Sequence, residues 1–381
     1  MKKVCLLGAS GNIGEQSLDI FENDPASFLL VGISIGHRIN KLDGILQRFP
    51  SIKYLTVQEK EDCETIKKSH PNLTVFYGDE GLIELIEKCD ADIIENALVG
   101  FVGLRPSIKA LEERKILCLA NKESLVVGGE FINDLLSQGK GKLYPIDSEH
   151  VGVAKCLSKV NRDDVDAIII TGSGGAFRRR ERSELENVTA KEALAHPTWN
   201  MGKKITIDCA TMMNKGFEVL EAYYLFYWPL EKIEVVLHDE SMVHAALRMK
   251  DETYVADVSK PDMHGPIAYA LYEGNVEYEV KKANSLEELG PYHFHKFDPE
   301  RYPAVDMCKD ALKRGGSSLA ILNAADEEAD RLFLRGKIKF LQIEEICCWA
   351  EKKLPKIKKP SLDDVVEIDS STRILIKERF E

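Results

Sequence analysis

The sequence lacks any apolar run near the roughly 18 residues that a membrane-spanning helix requires, so no transmembrane segment and no membrane partner are predicted. Its first eight residues combine two lysines with a short apolar run, as a signal peptide would. Gly8, Ser10 and Gly11 interrupt that run almost at once. The start of the chain is therefore better explained as a first β-strand.

Excess positive charge and patterned cysteines are also missing. The formal net charge of −12 argues against a nucleic-acid partner, because non-specific binding to phosphates needs a cationic field. The nine cysteines include no CxxC pair, and Cys5, Cys118 and Cys209 lie in apolar runs. This distribution indicates a reducing compartment, and we expect a cytoplasmic protein.

Residues 1–150 have the pattern of a dinucleotide-binding domain. An apolar strand at 4–7 leads into a glycine turn at 8–14 and then into a helical pattern. In such a turn Gly8 permits the tight bend, Gly11 lets the backbone approach a pyrophosphate, and Gly14 allows close helix packing. The GxxGxxG spacing is looser than GxGxxG, and an ordinary turn is the alternative. The cofactor-binding residues predicted here are Ala9, Ser10, Gly11, Asn12 and Ile13.

The second strand, at 28–35, ends in Gly36, His37 and Arg38, where NAD-binding proteins usually have an acidic residue. A cation at this place suits the 2′-phosphate of NADPH, although an exposed loop arginine is the alternative. Strand-like runs follow at 74–76, 92–94, 116–119 and 143–146, with helical stretches between them, as at 105–114. This alternation predicts an α/β fold with a doubly wound parallel sheet.

Polar clusters follow two of these strands, at the sheet edge where ligands bind. Asn121, Lys122 and Glu123 come after the strand at 116–119, and Asp147, Ser148 and Glu149 come after the strand at 143–146. Carboxylates at i and i+2 of an extended segment point to the same side, so Asp147 and Glu149 could form half of a metal site. Alternatively, Asp147 and Ser148 cap a helix.

The character of the chain changes after His150. A strand at 167–171 leads into the glycine-rich turn 172–175, which is either a phosphate cradle or a simple hairpin. The charge run 178–182 is assigned to solvent. The segment 196–202 is predicted to be a flexible lid in which Trp199 covers an apolar ligand face, with core packing of Trp199 as the alternative.

A strand is predicted at 204–209, followed by a helix. In this helix Asn214 and Lys215 are predicted phosphate donors, and Glu218 lies on the same helical face as Asn214. Residues 151–272 are expected to form a catalytic and connective domain. Charge and turn signals at 273–298 indicate a linker. The apolar spacing in 299–381 predicts a C-terminal helical domain.

In this order, the clusters closely resemble the 1-deoxy-D-xylulose 5-phosphate reductoisomerase family. The matching stretches are 8–14, 120–126, 145–150, 172–175, 196–202, 204–218, 261–263 and 322–325. The resemblance implies rearrangement of 1-deoxy-D-xylulose 5-phosphate and its NADPH-dependent reduction to 2-C-methyl-D-erythritol 4-phosphate, in non-mevalonate isoprenoid biosynthesis. It also implies a divalent metal (Mg²⁺, Mn²⁺ or Co²⁺) and a homodimer.

The resemblance further implies a role for individual residues. The implied metal ligands are Asp147, Glu149 and Glu218. The implied catalytic residues are Lys122, Glu149 and His196. The implied substrate-binding residues are Lys122, Ser148, Glu149, Ser173, His196, Trp199, Cys209, Asn214, Lys215 and Glu218. The cofactor residues also include Gly36, His37 and Arg38 at the end of the second strand, together with Asn121, Glu123 and Gly202.

The chain departs from the family pattern at four places, of which Cys209 belongs to the implied phosphate pocket. Cys209 stands where Ser is usual, and a thiol is a weaker donor than a hydroxyl. The other departures are Ala176 for Pro, Asp239-Glu240 for Pro-Gln, and His264 for Arg. Two rival interpretations stay open at this point. One is a metal-free semialdehyde dehydrogenase with Cys209 as acylating nucleophile; the other is an NADP-sensing binding protein without turnover.

Overall fold

A computed structural model describes residues 1–275, 285, 288 and 290–381. It divides into two compact units. Among the described residues, the first unit comprises 1–124, 129–151 and 262–275, and the second comprises 125–128, 152–261 and the residues from 285 onward. None of the described helices combines the length and the apolar character that crossing a bilayer requires.

The first unit is built on a sheet of seven parallel strands in the order β4-β3-β2-β1-β5-β6-β7. These strands are β1 Lys2–Leu7, β2 Phe28–Gly36, β3 Tyr54–Val57, β4 Thr74–Tyr77, β5 Ile93–Asn96, β6 Ile116–Leu119 and β7 Lys142–Pro145. The predicted doubly wound sheet is confirmed. Since β1 lies between β2 and β5, the strand order reverses at β1, where such sheets bind ligands.

Helices cover the sheet of the first unit. They are α1 Asn12–Asn23, α2 Leu42–Arg48, α3 Lys60–Ser69, α4 Gly78–Lys88, α5 Leu104–Glu112, α6 Lys122–Ser137, the start of α7 Ser148–Leu157, and α11 His264–Leu271. The core of the unit includes the fully buried side chains of Leu6, Ile33 and Ile93. Apolar runs without alternation form these strands because both faces of the sheet are covered.

Helix α11 belongs to the first unit, although the predicted boundaries assigned residues 151–272 to a single central domain. The reason is apolar packing, because Ile267 and Leu271 are buried in the same core as Leu6. The adjacent Tyr272 ring stacks edge-on against Phe28 at 5.0 Å between ring centroids. Sequence periodicity identifies such a helix but not the sheet it covers.

The second unit contains a five-stranded sheet in the order β11-β10-β8-β9-β12. Its strands are β8 Val165–Gly172, β9 Ile233–His238, β10 Val243–Met249, β11 Tyr254–Val258 and β12 Phe294–Lys296. Strands β8 and β9 are parallel, and the other pairs are antiparallel. Strand β12 lies within the predicted linker 273–298, so that prediction is wrong for 294–296; residues 276–284, 286, 287 and 289 of the linker lie outside the described residues.

The helices of the second unit are α8 Ala190–Ala193, α9 Lys203–Thr211, α10 Met213–Phe226, α12 Ala304–Arg314, α13 Ser318–Leu334, α14 Gln342–Lys353 and α15 Leu362–Phe380. The helical C-terminal region is confirmed, and the structure groups it with the central residues in one unit. The strand predicted at 204–209 is wrong. Those residues form helix α9, in which Lys204 pairs with Asp208 across one turn and Thr206 Oγ1 donates to the Gly202 carbonyl.

Candidate active site

The turn after β1 has the geometry that its glycines predict. Gly8 adopts φ +88°, and a Cβ there would lie 2.6 Å from the Ala97 carbonyl oxygen. A Cβ on Gly14 would lie 2.3 Å from the Gly8 carbonyl oxygen, so α1 can approach the turn only without these side chains. Helix α1 begins directly after Gly11, and the unpaired N–H groups of a helix N-terminus favour an anion. The turn consists of the predicted cofactor residues Ala9, Ser10, Gly11, Asn12 and Ile13.

Two cations lie beside this turn, at the end of β2. Arg38 Nη1 donates to the Ser10 carbonyl oxygen at 2.7 Å, and Lys41 Nζ donates to the same oxygen at 3.1 Å. Gly36 turns the chain after β2, and His37 is exposed, with its Nδ1 3.4 Å from Glu59. Sequence reasoning selected Arg38 but missed Lys41. The available signal was a second cation three residues after Arg38 in the same loop.

Asn121 and Glu123 hold the loop that faces the glycine turn within the first unit. Asn121 Nδ2 donates to the carbonyl oxygens of Leu98 at 3.1 Å and Gly100 at 2.9 Å. Glu123 Oε1 accepts the Gly100 N–H at 3.1 Å. Because Gly8 lies directly against Ala97, this loop is one wall of the crevice at the carboxyl ends of β1 and β5. Both residues therefore support a wall of the crevice at which such sheets bind ligands, and their role in cofactor binding stays a prediction.

Asp147 is the centre of the polar cluster that follows β7. Its Oδ2 lies 2.9 Å from Lys122 Nζ, and its Oδ1 lies 3.0 Å from His150 Nδ1. Burial opposes ionisation, but Lys122 and His150 outweigh it and hold the pKa of the Asp147 carboxyl well below its ordinary value. Asp147 Oδ1 also accepts the Glu149 N–H at 3.1 Å at the start of α7, so the helix-cap interpretation is confirmed for Asp147 but not for Ser148, which is the first residue of the helix. Ser148 Oγ donates to Glu149 Oε2 at 2.6 Å.

In the second unit, Ser173 and His196 form a hydrogen-bonded pair next to the glycine-rich turn. His196 Nδ1 accepts the backbone N–H of Trp199 at 3.0 Å and of Thr198 at 3.3 Å. The single proton of a neutral imidazole is therefore on Nε2, which lies 3.0 Å from Ser173 Oγ. Burial, together with the positive charges of Arg178 and Lys215, lowers the pKa of His196 to about 4. His196 is thus neutral near pH 7 and donates to Ser173.

The hydrogen of the Ser173 hydroxyl remains available for a ligand. Ser173 Oγ accepts from His196 Nε2 and from the Gly175 N–H at 3.2 Å. A hydroxyl has two acceptor lone pairs and one donor hydrogen, and these contacts use the lone pairs. Ser173 can therefore donate to a phosphate oxygen. This geometry favours the phosphate cradle over a simple hairpin.

The turn 172–175 packs directly on helices α9 and α10. A Cβ on Gly172 would lie 3.0 Å from Lys215 Cε, and a Cβ on Gly175 would lie 2.3 Å from the Cys209 carbonyl oxygen. The junction of the two helices is Met212, whose φ of +65° is rare for a residue with a side chain and is often found at functional sites. The turn thereby comes next to predicted substrate residues of both helices.

Glu218 is paired within helix α10. It contacts Lys215 Nζ in an ion pair and accepts a hydrogen bond from Asn214 Nδ2, and all three residues are buried. The Oδ1 atom of Asn214 is also buried, and no described residue hydrogen-bonds to it. A buried acceptor of this kind is costly unless a ligand or water satisfies it. The cluster therefore presents a carboxylate, an ammonium and an unused amide oxygen together.

The predicted lid 196–202 has no regular secondary structure. Thr198 Oγ1 lies 3.1 Å from Ser241 Oγ, and the half-buried Trp199 ring lies 6.1 Å from the His244 ring, tilted by 59°. Gly202 is exposed and begins helix α9. These contacts describe one position of the segment, and its motion stays a prediction.

The structure distributes the predicted site over the two units. The three predicted metal ligands divide accordingly, with Asp147 and Glu149 in the first unit and Glu218 in the second.

Sequence reasoning missed Arg178, which belongs to the charge run assigned to solvent. Arg178 Nη1 donates to the Asp239 carbonyl oxygen at 2.8 Å, and its charge acts on His196. Arg182 of the same run is also partly buried and pairs with the buried Glu344. A run of arginines gives no signal that distinguishes its inward-facing members from the exposed ones.

The chain is similar to known proteins over its whole length. Family models match three stretches: 4–129 for 1-deoxy-D-xylulose 5-phosphate reductoisomerase, 143–226 for the reductoisomerase C-terminal domain, and 258–375 for the DXP reductoisomerase C-terminal domain. A 1-deoxy-D-xylulose 5-phosphate reductoisomerase 2 of Bacillus thuringiensis subsp. konkukian is 42% identical over 381 residues and covers 100% of both chains. The reductoisomerase of Geobacillus kaustophilus is 43% identical over 383 residues and covers 99% of each.

The chain belongs to the 1-deoxy-D-xylulose 5-phosphate reductoisomerase family. Solved structures of the family agree with its fold. The Zymomonas mobilis reductoisomerase in complex with NADPH aligns with a TM-score of 0.90 at 33% identity, covering 100% of this chain and 99% of that one. A DOX-P reductoisomerase in complex with NADPH, fosmidomycin and magnesium aligns with a TM-score of 0.91 at 28% identity, covering 100% of both. The resemblance inferred from the sequence is confirmed.

Proposed function

We propose that this chain performs the family's reaction with two side-chain clusters, one around Asp147 in the first unit and one around Lys215 in the second. The chain is an NADPH-dependent oxidoreductase that uses a divalent metal and converts 1-deoxy-D-xylulose 5-phosphate to 2-C-methyl-D-erythritol 4-phosphate in isoprenoid biosynthesis. The observation that carries this conclusion is 42% identity over the full length of both chains. Family membership also removes the rival interpretation of Cys209 as an acylating nucleophile.

The ligands of the metal are Asp147, Glu149 and Glu218. The donor chemistry fits, because hard divalent cations such as Mg²⁺ and Mn²⁺ prefer carboxylate oxygens. Asp147 is ionised near pH 7, since Lys122 and His150 keep its pKa low. When bound, such a cation polarises the keto and hydroxyl oxygens of the substrate as a Lewis acid.

The first-unit cluster carries the groups that act on the reacting oxygens. Lys122 is buried and positioned by Asp147, so its ammonium group stabilises negative charge that develops on a substrate oxygen. Glu149 moves the proton of the substrate hydroxyl. Ser148, between the two ligand carboxylates in the sequence, contacts the substrate. Asp147, Ser148 and Glu149 thus have different proposed roles.

The second-unit cluster holds the phosphate and the carbon chain. Ser173 donates its remaining hydrogen to a phosphate oxygen, and His196 acts by orienting Ser173 rather than by carrying a proton. Lys215 supplies positive charge, and Asn214 Oδ1 accepts from a substrate hydroxyl. The Cys209 thiol is a weak donor, so Ser173 and Lys215 carry most of the phosphate contact. Trp199 covers the apolar side of the substrate when the 196–202 lid closes.

NADPH binds at the glycine turn of the first unit. The turn at residues 9–13 and the N-terminus of α1 hold the pyrophosphate, while the charges of Arg38 and Lys41 favour the 2′-phosphate that distinguishes NADPH from NADH. The remaining residues assigned to the cofactor are Gly36, His37, Asn121, Glu123 and Gly202.

A homodimer and a cytoplasmic location complete the proposal. The dimer is supported by the resemblance to the family, and sedimentation of the purified protein tests it. The location is supported by nine free cysteines, since disulfides are rare in reducing compartments.

Product analysis tests the proposed reaction. The protein is incubated with 1-deoxy-D-xylulose 5-phosphate, NADPH and Mg²⁺, and the mixture is separated and identified by mass spectrometry. We expect 2-C-methyl-D-erythritol 4-phosphate in equal amount to the NADPH consumed. A phosphorylated product formed without NADPH consumption would contradict the proposed reduction. Binding of NADPH without any product would support the NADP-sensing interpretation instead.

A further inference from the structure

Glu95 is a fully buried carboxyl group in the middle of the nucleotide-binding sheet. It lies on β5, where its register partners are Leu6 on β1 and Cys118 on β6. Its Oε1 contacts Ser17 Oγ on helix α1. Its Oε2 is buried, and no described residue hydrogen-bonds to it. No step of the proposed reaction uses this residue.

The contacts of Ser17 indicate which partner donates. Ser17 Oγ lies 3.0 Å from the Ile13 carbonyl oxygen and also contacts Glu95. A hydroxyl has one hydrogen, and a carbonyl oxygen cannot donate. Both contacts are satisfied when Ser17 donates to Ile13 and a neutral Glu95 donates to Ser17. An ionised Glu95 would instead leave a negative oxygen in the core without a partner, which is strongly unfavourable.

The surroundings of Glu95 offer no compensating charge. Burial raises its pKa to about 8, and no described cation lowers it. From β6 it faces Cys118, whose thiol is also kept neutral by burial. Helix α11, which packs on β6, contributes His264, which pairs with Asp262, and Tyr269, whose pKa is raised by burial and by Tyr144. Neither side chain affects the pKa of Glu95. The Lys2–Glu273 ion pair acts on Cys118.

We propose that Glu95 is a positioning residue for NADPH. As a neutral acid it donates to Ser17, fixes the first turn of α1 and so holds the phosphate-binding turn in place. Loss of the Glu95 proton therefore weakens cofactor binding. Ile13 connects Glu95 to the phosphate-binding turn, because its carbonyl oxygen accepts from Ser17 and the residue is itself part of the turn. An ionised Glu95 would also place negative charge in the core beneath the helix that binds an anion. The inference rests on the proposed role of the glycine turn.

The binding of NADPH to the metal-free protein, followed by nucleotide fluorescence, tests this inference. In the wild type we expect the Kd to rise on the order of tenfold between about pH 7 and about pH 9.5, within the usual range of coupling between two sites. In Glu95→Gln the amide N–H still donates to Ser17 but cannot titrate, so the Kd should stay within about twofold across this range. Glu22→Gln, at an exposed position of α1, is the matched control and should keep the wild-type profile.

Two further results distinguish a wrong assignment of the glycine turn from a wrong inference about Glu95. Gly11→Ala places a methyl group 3.2 Å from the Gly8 carbonyl oxygen and should weaken NADPH binding at every pH. If Gly11→Ala binds NADPH as tightly as the wild type, the proposed role of the glycine turn is wrong. If Gly11→Ala binds NADPH more weakly but Glu95→Gln keeps the wild-type pH dependence, the Glu95 inference is overturned.

If Glu95→Gln does not fold, proton uptake by the wild-type protein on NADPH binding tests the inference. Linkage requires that NADPH binding raise the pKa of Glu95, so binding at about pH 8.5 takes up protons from a weakly buffered solution. Binding without proton uptake contradicts the inference.

Discussion

Ser173 Oγ lies 3.0 Å from His196 Nε2, and the direction of this hydrogen bond is determined by the other side of the imidazole ring. Two backbone N–H groups, of Thr198 and Trp199, donate to His196 Nδ1, so the ring proton is on Nε2. The lid segment that contains these N–H groups thus orients the serine that is proposed to bind the phosphate. The position of the segment 196–202 and the proposed phosphate contact are therefore linked through His196.

Replacement of Ser173 by Ala should raise the KM for the substrate by about tenfold to a hundredfold, the usual cost of losing a hydrogen bond to a charged group. The kcat should change much less, because the phosphate contact is present in both the ground state and the transition state. Steady-state kinetics at saturating NADPH measure both values. The exposed Ser158, replaced in the same way, is the control and should leave KM unchanged. An unchanged KM in Ser173→Ala would refute the phosphate contact.

The low pKa of His196 has a consequence for stability in acid. The unfolded chain protonates this ring below about pH 6.5, whereas the folded protein resists until about pH 4. Between these values the unfolded state binds more protons, so the contribution of His196 to the free energy of unfolding increases as pH rises from 4 to 6.5. His196→Gln should remove this contribution. Urea denaturation of both proteins at about pH 4.5 and about pH 7 tests this, and an equal loss on acidification in both would contradict it.

Replacement of Glu218 by Gln should weaken divalent metal binding by at least about tenfold, since changes around metal ligands commonly cost ten- to a hundredfold. Turnover should fall most at limiting Mg²⁺ and recover in part at high Mg²⁺. Binding of Mn²⁺, followed by electron paramagnetic resonance, gives a readout independent of activity. The exposed Glu231→Gln serves as the control. Wild-type Mn²⁺ affinity in Glu218→Gln would rule out its role as a ligand.

Charge reversal at Arg38 should change cofactor preference. Arg38→Glu is expected to weaken NADPH by about tenfold or more while affecting NADH little, because only NADPH has the 2′-phosphate. Lys41→Glu should act in the same direction, since Lys41 donates to the same Ser10 carbonyl oxygen. Kd values for both nucleotides provide the measurement, with the exposed Lys88→Glu as reference. If the NADPH to NADH ratio stays at its wild-type value in both variants, the 2′-phosphate site lies elsewhere.

The parallel sheet could be predicted from the sequence because its strands are short apolar runs separated by helices. Strand β3 was missed, and the segment 204–209, which was predicted to be a strand, forms helix α9. In that segment Lys204 pairs with Asp208 across one helical turn, and the consecutive residues Thr206, Ile207 and Asp208 are all buried. Short apolar runs do not distinguish the two structures, since tertiary packing overrides local preference.

The chemistry of the site was predictable only in part. Asp147 and Lys122 were identified because each follows a buried strand. The proposed role of Glu218 depended on resemblance, because one carboxylate on a helix has no distinctive pattern. Lys41, Arg178 and Glu95 were missed for a common physical reason. Their significance comes from contacts with residues distant in the sequence, which local patterns do not record.

The dependence of NADPH oxidation on substrate and metal tests the central claim most directly. The absorbance of NADPH is followed after addition of 1-deoxy-D-xylulose 5-phosphate, with Mg²⁺ or with EDTA. We expect a decrease that requires both the ketose phosphate and the metal, stops with EDTA, and resumes when excess Mg²⁺ is restored. NADPH oxidation that continues at the same rate in EDTA, or no oxidation with all components present, would contradict the account.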